Sequence, residues 1–413
     1  MEKNDCRFLY VSNARSVSGE PLNILVCKDV DRKAVIRKIG RAEIAALPER
    51  TKRYDAGGAV IFPAFTDLAG FPDRHNSAGA ITAETASALC GGFQRTVSLD
   101  PTFDLTVYAE RKKRAAASAK TDVVVSAGLS ENSDPMDFYR AGARVFTDLN
   151  SPVLSVRKML SVFSSVPDDA LFLLSCRDPE GETGFSDGMV AKKLSLPGTP
   201  PVSEELAVLR AITLSAESGR KIHLTGLSTA RALGHVRRAK AEGIAVTCDV
   251  PAYSLSFVST DLYYYGARAK LSPPLRTESD RNAVKEALAD GTADAVSSCH
   301  FPCYDREKKK LADAVPGAVG YQTVFSAVMT ELVLPGTVPM RRAAEILALN
   351  PASILGIDAE LRENGPADFV LTDPYREWIV TADILRGRSV QTPYLGGSLN
   401  GAVLHTVRNG EWL

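Results

Sequence analysis

Apolar residues follow two rhythms along this chain. Up to residue 57 they alternate with polar ones in short stretches, RFLYVSNAR, NILVCKD and KAVIRKIGRAEI, rich in β-branched side chains. A period of two puts successive side chains on opposite faces and predicts strands with one buried face. From residue 58 the rhythm changes to short, near-continuous apolar runs separated by amphipathic stretches. The runs are AVIFPAFTDL (59–68), FQRTVSL (93–99), DVVVSAGL (122–129), ARVFTDL (143–149), ALFLLSC (170–176), KIHLTGLS (221–228), IAVTCDV (244–250) and ADAVSSC (293–299). Between most of them lie helix-periodic segments such as TAETASALCGG, VLSVRKMLSVF, SEELAVLRAITLSAES, TARALGHVRRAKAEG and ESDRNAVKEALADG. Several of these close on glycine, as helix ends do.

Eight such runs, each followed by a helix or crossover, predict a parallel sheet covered on its outer face. Eight is the count of a closed (β/α)8 barrel, the TIM barrel. A doubly wound open sheet fits less well, because no glycine-rich phosphate loop follows the first run. Near the C-terminus the chain returns to short strands, DFVLTDPYREWIV and GAVLHTVRNGEWL, with TPYLGG between them. The expected organisation is an α/β fold: a barrel over 58–359, and a small composite β-domain from 1–57 and 360–413.

Composition narrows the function. Lys+Arg and Asp+Glu are both 49, a net charge of zero, which argues against nucleic acid or an anionic membrane surface as partner. No apolar run reaches the roughly 18 residues of a membrane span. The start, MEKNDCRFLY, lacks the basic-then-apolar pattern of a secretion signal. Seven scattered cysteines have no paired spacing typical of a disulfide framework, so a cytoplasmic location is expected. The run EKKKLADA (307–314) is expected to be a solvated loop or helix face. With only five histidines, His75, His223, His235, His300 and His405, a multi-histidine metal site has few candidates.

In order along the chain, GGFQRTV, LSLPGTPPVSEELAVLR, KIHLTGLSTA, AKAEGIAVTCDV, YGARAKLSPPLR, LADGTADAVSS, PGAVGYQT, LALNPASILGI and ADFVLTDP resemble blocks of the class I dihydroorotases of the amidohydrolase superfamily. The resemblance covers nearly the whole chain. It implies a cytoplasmic enzyme of pyrimidine biosynthesis that reversibly cyclises carbamoyl-aspartate to dihydroorotate. Zinc is the family's cofactor: metal-bound hydroxide attacks the ring amide, and an aspartate at the end of strand eight shuttles the proton.

Carried across residue by residue, the resemblance also implies that this chemistry is missing. Asp67 remains, but the strand-one histidines fall at Ala69 and Phe71, whose methyl and phenyl groups offer a metal no electron pair. The substrate arginine of that motif falls at Asp73, which would repel a dianion. The second-motif asparagine has no counterpart, and the strand-five histidine falls at or near Ser175. His223 matches a family histidine that is not the ligand, and the ligand position is Gly226. Paired histidines after strand seven become Tyr253 and Ser254. The asparagine before the double proline becomes Ser272, and the strand-eight Asp-His-Ala-Pro-His reads Cys299, His300, Phe301, Pro302, Cys303. Asp148 keeps a ligand-like carboxylate and Arg276 is retained. The expectation is a protein without catalytic residues, metal or cofactor, kept for its shape. The resemblance implies the aspartate transcarbamoylase catalytic chain as partner, together with a homo-oligomer.

Two other functions stay open at this level. One is an active cyclic-amide hydrolase with a rebuilt site, for which Cys299, His300 and Asp148 are the candidates. The other is a sensor that binds a ligand in the old pocket, lined by Asp67, Ala69, Phe71, Asp73, Tyr253, Ser272, Cys299, His300 and Cys303. Against the thiolate reading, Cys299 and Cys303 also suit plain packing. His223 is expected to make a satisfied core hydrogen bond, His75 to sit in a loop, His235 on the surface and His405 in the terminal β-domain. The Tyr263, Tyr264, Tyr265 run suits a partner-binding patch or rim packing equally. Lys270 and Arg276 are expected to pair structurally.

Overall fold

The computed structural model describes residues 7–28, 33–44, 46–149, 155–177 and 182–412. The first six residues, and residues 153–154 at the start of one expected helix, lie outside them.

The alternating stretches at the two ends form one sheet. Its strands are Arg7–Arg15, Pro21–Lys28, Val35–Gly40, Val60–Pro63, Phe369–Ile379, Ser398–Arg408 and Glu411–Trp412, with Lys52–Asp55 paired to the first. Leu9, Val11, Ile24, Val26, Ile36, Ile61, Phe369, Leu371 and Val407 fill its core. The run 59–68, read as a single strand, is two. Val60–Pro63 pairs antiparallel with Phe369–Ile379 in the terminal sheet, and Phe65–Gly70 opens the barrel. Pro63 lacks an amide hydrogen and ends the first ladder, so the chain can change sheets at Ala64.

The other seven apolar runs are strands, and with Phe65–Gly70 they make an eight-stranded parallel sheet. They are Phe93–Thr102, Asp122–Gly128, Val145–Thr147, Leu171–Ser175, Ile222–Thr225, Val246–Pro251 and Ala295–Ser297, hydrogen-bonded in chain order. The sheet closes between its last and first members: Gly70 bridges His300, and Phe71 N donates to His300 O at 2.9 Å. Helices Ala78–Cys90, Leu105–Ser118, Val156–Ser165, Pro201–Ser218, Ala230–Ala241 and Glu278–Asp290 cover the outside. Short polar side chains cap several of them, among them Ser77, Asp104, Ser155, Thr229 and Thr277. The glycine stop signals hold at Gly219 and Gly291, both left-handed.

Side-chain direction follows from register. Phe172 meets Phe163 of the outer helix at 4.7 Å, so it points outward. Its neighbours Leu173 and Ser175, and their register partners His223 and Thr225, therefore face the barrel interior. This inward layer at the C-terminal strand ends is where a barrel of this kind places its chemistry.

Two smaller expectations change. Lys308, in the run expected to be solvated, is buried and donates to Ala267 O and Lys270 O, both at 3.0 Å. Of the described cysteines, Cys27 is disulfide-bonded and Cys90, Cys176, Cys248, Cys299 and Cys303 are free. No described helix is long and apolar enough to cross a membrane.

Candidate functional site at the barrel mouth

Strand one delivers Asp67, Ala69 and Phe71 to the mouth, all buried. Asp67 is fully enclosed. Its Oδ1 accepts from Ser298 N at 2.8 Å, and its Oδ2 accepts from Ser298 Oγ at 2.7 Å and Thr96 Oγ1 at 3.3 Å. These bonds join strand one to the segment after strand eight, so Asp67 clasps the barrel seam. Burial lifts its carboxyl above the usual range despite the bonds that favour its charge. Phe71 packs edge-on against Phe301, with ring centres 5.0 Å apart.

Asp73 is not a free anion at the entrance. It is buried against Arg114 of the helix Leu105–Ser118, whose Nη2 lies 2.6 Å from Oδ2 and whose Nε lies 3.2 Å from Oδ1. The repulsion expected from Asp73 is therefore countered by a paired guanidinium. Sequence spacing hides this partner, which is 41 residues away.

Strands four and five present a second carboxylate. Asp148 Oδ1 accepts from Ser175 N at 2.7 Å. Poor hydration at the barrel end outweighs this bond and pushes its carboxyl up to about 6. On strand six, His223 is fully buried between Thr247 Oγ1, 2.9 Å from Nδ1, and Asp249 Oδ2, 3.0 Å from Nε2. Asp249 also accepts from Gly226 N at 3.0 Å and from Ser297 Oγ. His223 thus makes the satisfied core contact expected of it, and Asp249, which sequence reading passed over, organises three strand ends. Its signal was an acid closing an otherwise apolar strand, IAVTCDV.

Cys299, His300 and Cys303 do not converge. Cys299 Sγ stands 3.6 Å from Ser297 Oγ, and burial beside Asp249 pushes its thiol up to about 12. The Cys299 backbone is left-handed, φ 43°, which turns the next side chain away from it. His300 runs into the wall, stacks on Tyr321 at 4.0 Å and places Nε2 3.0 Å from Glu84 Oε2. Gly320 N donates to His300 Nδ1, so Nε2 carries the hydrogen given to Glu84. Glu84, fully buried on the first helix, also accepts from Arg388 N at 2.9 Å. Nothing in TAETASALCGG marks this acid as the partner of a residue 216 positions on. Cys303 is buried near the carbonyl of Gly317 at 3.8 Å.

Tyr253 donates to Pro273 O at 2.8 Å, and Ser272 Oγ donates to Glu182 Oε2. Arg276 pairs with Glu204 at 3.3 Å and reaches Ser228 and Ser186, all structural contacts. Lys270 donates to Ala312 O at 2.7 Å and lies over the Phe185 ring. His75 stacks on Tyr304 at 4.2 Å, His235 bonds Glu205 at 2.8 Å, and His405 packs with Tyr54 and Trp412 in the terminal sheet. In the tyrosine run, Tyr264 is 82% exposed whereas Tyr265 packs against Phe257 at 5.3 Å, so the two readings divide between neighbours.

The side chains here do not suit zinc. Zinc requires about four N, S or O donors in tetrahedral array with lone pairs to give. Ala69 and Phe71 have none, the Asp67 oxygens are occupied by donors, inward His223 is held by Asp249, and His300 is turned into the wall against Glu84. Among the described residues, no group of three or more His, Cys, Asp or Glu side chains is placed to hold a metal ion.

The barrel with its terminal β-domain places the molecule in the hydantoinase-like class of folds. It superposes on the L-hydantoinase (dihydropyrimidinase) from Arthrobacter aurescens with a TM-score of 0.82 at 20% identity, covering 98% of this chain and 95% of that one. A dihydropyrimidinase from Brevibacillus agri gives 0.82 at 18% identity, over 98% and 94%. In sequence, a dihydroorotase of Caldanaerobacter subterraneus subsp. tengcongensis is 31% identical over 377 residues, 86% of each chain. A dihydroorotase of Geobacter metallireducens is 29% identical over 409 residues, 95% of each. No protein-family model matches the chain. The chain belongs to the dihydroorotase family.

Proposed function

We propose that this chain is a non-catalytic member of the dihydroorotase family. In this reading it serves pyrimidine biosynthesis in the cytoplasm as a structural partner of the aspartate transcarbamoylase catalytic chain. The observation that carries it is the state of the strand-one end. Asp67, the one carboxylate there facing the barrel, is consumed by the seam, and its neighbours Ala69 and Phe71 are apolar. A metal-activated hydroxide has no seat among such groups. Family membership and an intact barrel support a protein kept for its outer surface.

A thiol-based hydrolase finds less support. Cys299 holds its proton to about 12, and His300 donates to Glu84 instead of standing beside the sulfur.

Two measurements test the proposal. Purified chain, assayed with dihydroorotate and with zinc supplied, is expected to show no turnover. Co-expressed with an aspartate transcarbamoylase catalytic chain, it is expected to co-elute on size exclusion. Separate elution, with transcarbamoylase activity indifferent to its presence, would sink the partnership. Zinc-dependent turnover would sink the non-catalytic reading.

A further inference from the structure

Of the helices that cover the barrel, Pro201–Ser218 shows solvent an apolar stripe. Val202, Leu206 and Leu209 are 45%, 61% and 38% exposed, and the exposed Thr213 and Ala216 continue the line. Successive members of the stripe are alternately four and three residues apart. That spacing is the repeat with which one helix meets another along a seam. The face turned into the barrel is a different one, made by Val208, Ala211, Ile212 and Ser215, all buried. The helix therefore carries apolar side chains on two faces, and only one of them is covered.

The two helices packed beside it differ. Val156–Ser165 begins on exposed Val156 but then shows solvent Arg157, Ser161 and Ser164, and Ala230–Ala241 shows Arg231 and Arg238. An apolar centre within a polar rim is the make-up of a protein interface, whereas apolar residues scattered singly need no explanation. Together the three helices present a projected face of about 600 Å², one partner's share of the smaller stable interfaces.

We propose that this stripe docks on the same stripe of a second copy of the chain, with the two helices antiparallel about a two-fold axis. Antiparallel pairing at this spacing sets Leu206 against the partner's Leu209, and Val202 against the partner's Thr213. Four leucines then meet at the centre and leave water, with a hydroxyl at either end. A parallel pair would lay the helix macrodipoles side by side and bring Glu217 against its own copy. The antiparallel pair opposes the dipoles and carries exposed Glu217 towards the partner helix's N-terminal end, where Pro200 supplies no side-chain cap. A net charge of zero leaves no long-range repulsion between copies. This gives the expected homo-oligomer a face and an orientation, and depends on neither hydrolysis nor the transcarbamoylase chain.

The test uses the full chain alone. Size exclusion with light scattering is expected to give at least twice the chain mass. Leu206→Lys is expected to halve that mass and to raise the dissociation constant at least about tenfold, because it buries an ammonium without a partner. Cysteine linking reads the orientation directly, in a Cys90→Ser background that removes the exposed thiol. Val202→Cys and Thr213→Cys, co-expressed on differently tagged copies and mildly oxidised, are expected to link to each other. Neither is expected to link to itself, because identical positions stand about 16 Å apart along the axis, too far for a disulfide. A monomer at every concentration, a folded Leu206→Lys variant of unchanged mass, or an oligomer in which no link forms would overturn the interface. Linking of each cysteine to its own copy, and not to the other, would overturn the antiparallel arrangement. The linking experiment stands whether or not Leu206→Lys folds.

Discussion

The oxygens of Asp67 accept from Ser298 N, Ser298 Oγ and Thr96 Oγ1. Replacement by alanine strands two donors of Ser298 at the seam, and the expected loss is about 3 kcal/mol, the scale of buried bonds to a charged group. Urea unfolding checks this, and a loss below about 1 kcal/mol would show that the seam does not rely on the carboxylate. Asp148 carries a pH dependence that can be placed, because burial pushes its carboxyl up to about 6 from an ordinary 3.8. Between those values the folded chain keeps a proton that the unfolded chain has released. Its contribution to stability is therefore complete below the lower value and is lost as pH rises to the upper one. The gap of about two units is worth at most about 3 kcal/mol. Asp148→Asn keeps an acceptor for Ser175 N, and Arg210 is the charged group that acts on the native carboxylate. The variant is expected to gain on the native protein between pH 4 and pH 7, read as the difference between their melting temperatures across that range.

At the scale of elements, the loops after strands one and eight behave as a single lock across the seam. Phe71 meets Phe301, Arg74 lies 4.3 Å over the Phe301 ring and pairs with Glu307 at 2.7 Å, and His75 stacks on Tyr304. Phe301→Ala removes the shared ring, and is expected to speed amide exchange in residues 71–76 and 300–307 while leaving the barrel strands protected. Equal acceleration in the strands would mean that the loops and barrel open together. The eight barrel strands were legible because parallel strands covered on both faces read as unbroken apolar runs. The reading failed at Pro63, where two strands of different sheets adjoin with one residue between them and no change in hydropathy. The alternate positions 67, 69 and 71 were legible as one inward face. Long-range pairings were not: Asp73 with Arg114, and His300 with Glu84, depend on which helix the barrel closes against, and no local pattern encodes that.

For the molecule as a whole, the question is what ties the strand ends of the barrel together. A metal ion bound by several strands would do so, and its removal would loosen all of them at once. Here three carboxylates perform that joining through hydrogen bonds: Asp67 links strand one to the segment after strand eight, Asp148 links strands four and five, and Asp249 gathers strands six, seven and eight. All three are internal and need no solute from outside. A ligand that binds only the folded state raises the melting temperature in proportion to the logarithm of its free concentration. If hydrogen bonds alone hold the mouth, exhaustive chelation followed by graded zinc leaves the transition where it was. A fall of several degrees on chelation, restored by stoichiometric zinc, would instead locate part of the stability in a bound ion. Scanning calorimetry at fixed protein concentration separates the outcomes, and it does so without reference to turnover, because chain stability and catalysis respond to the metal independently.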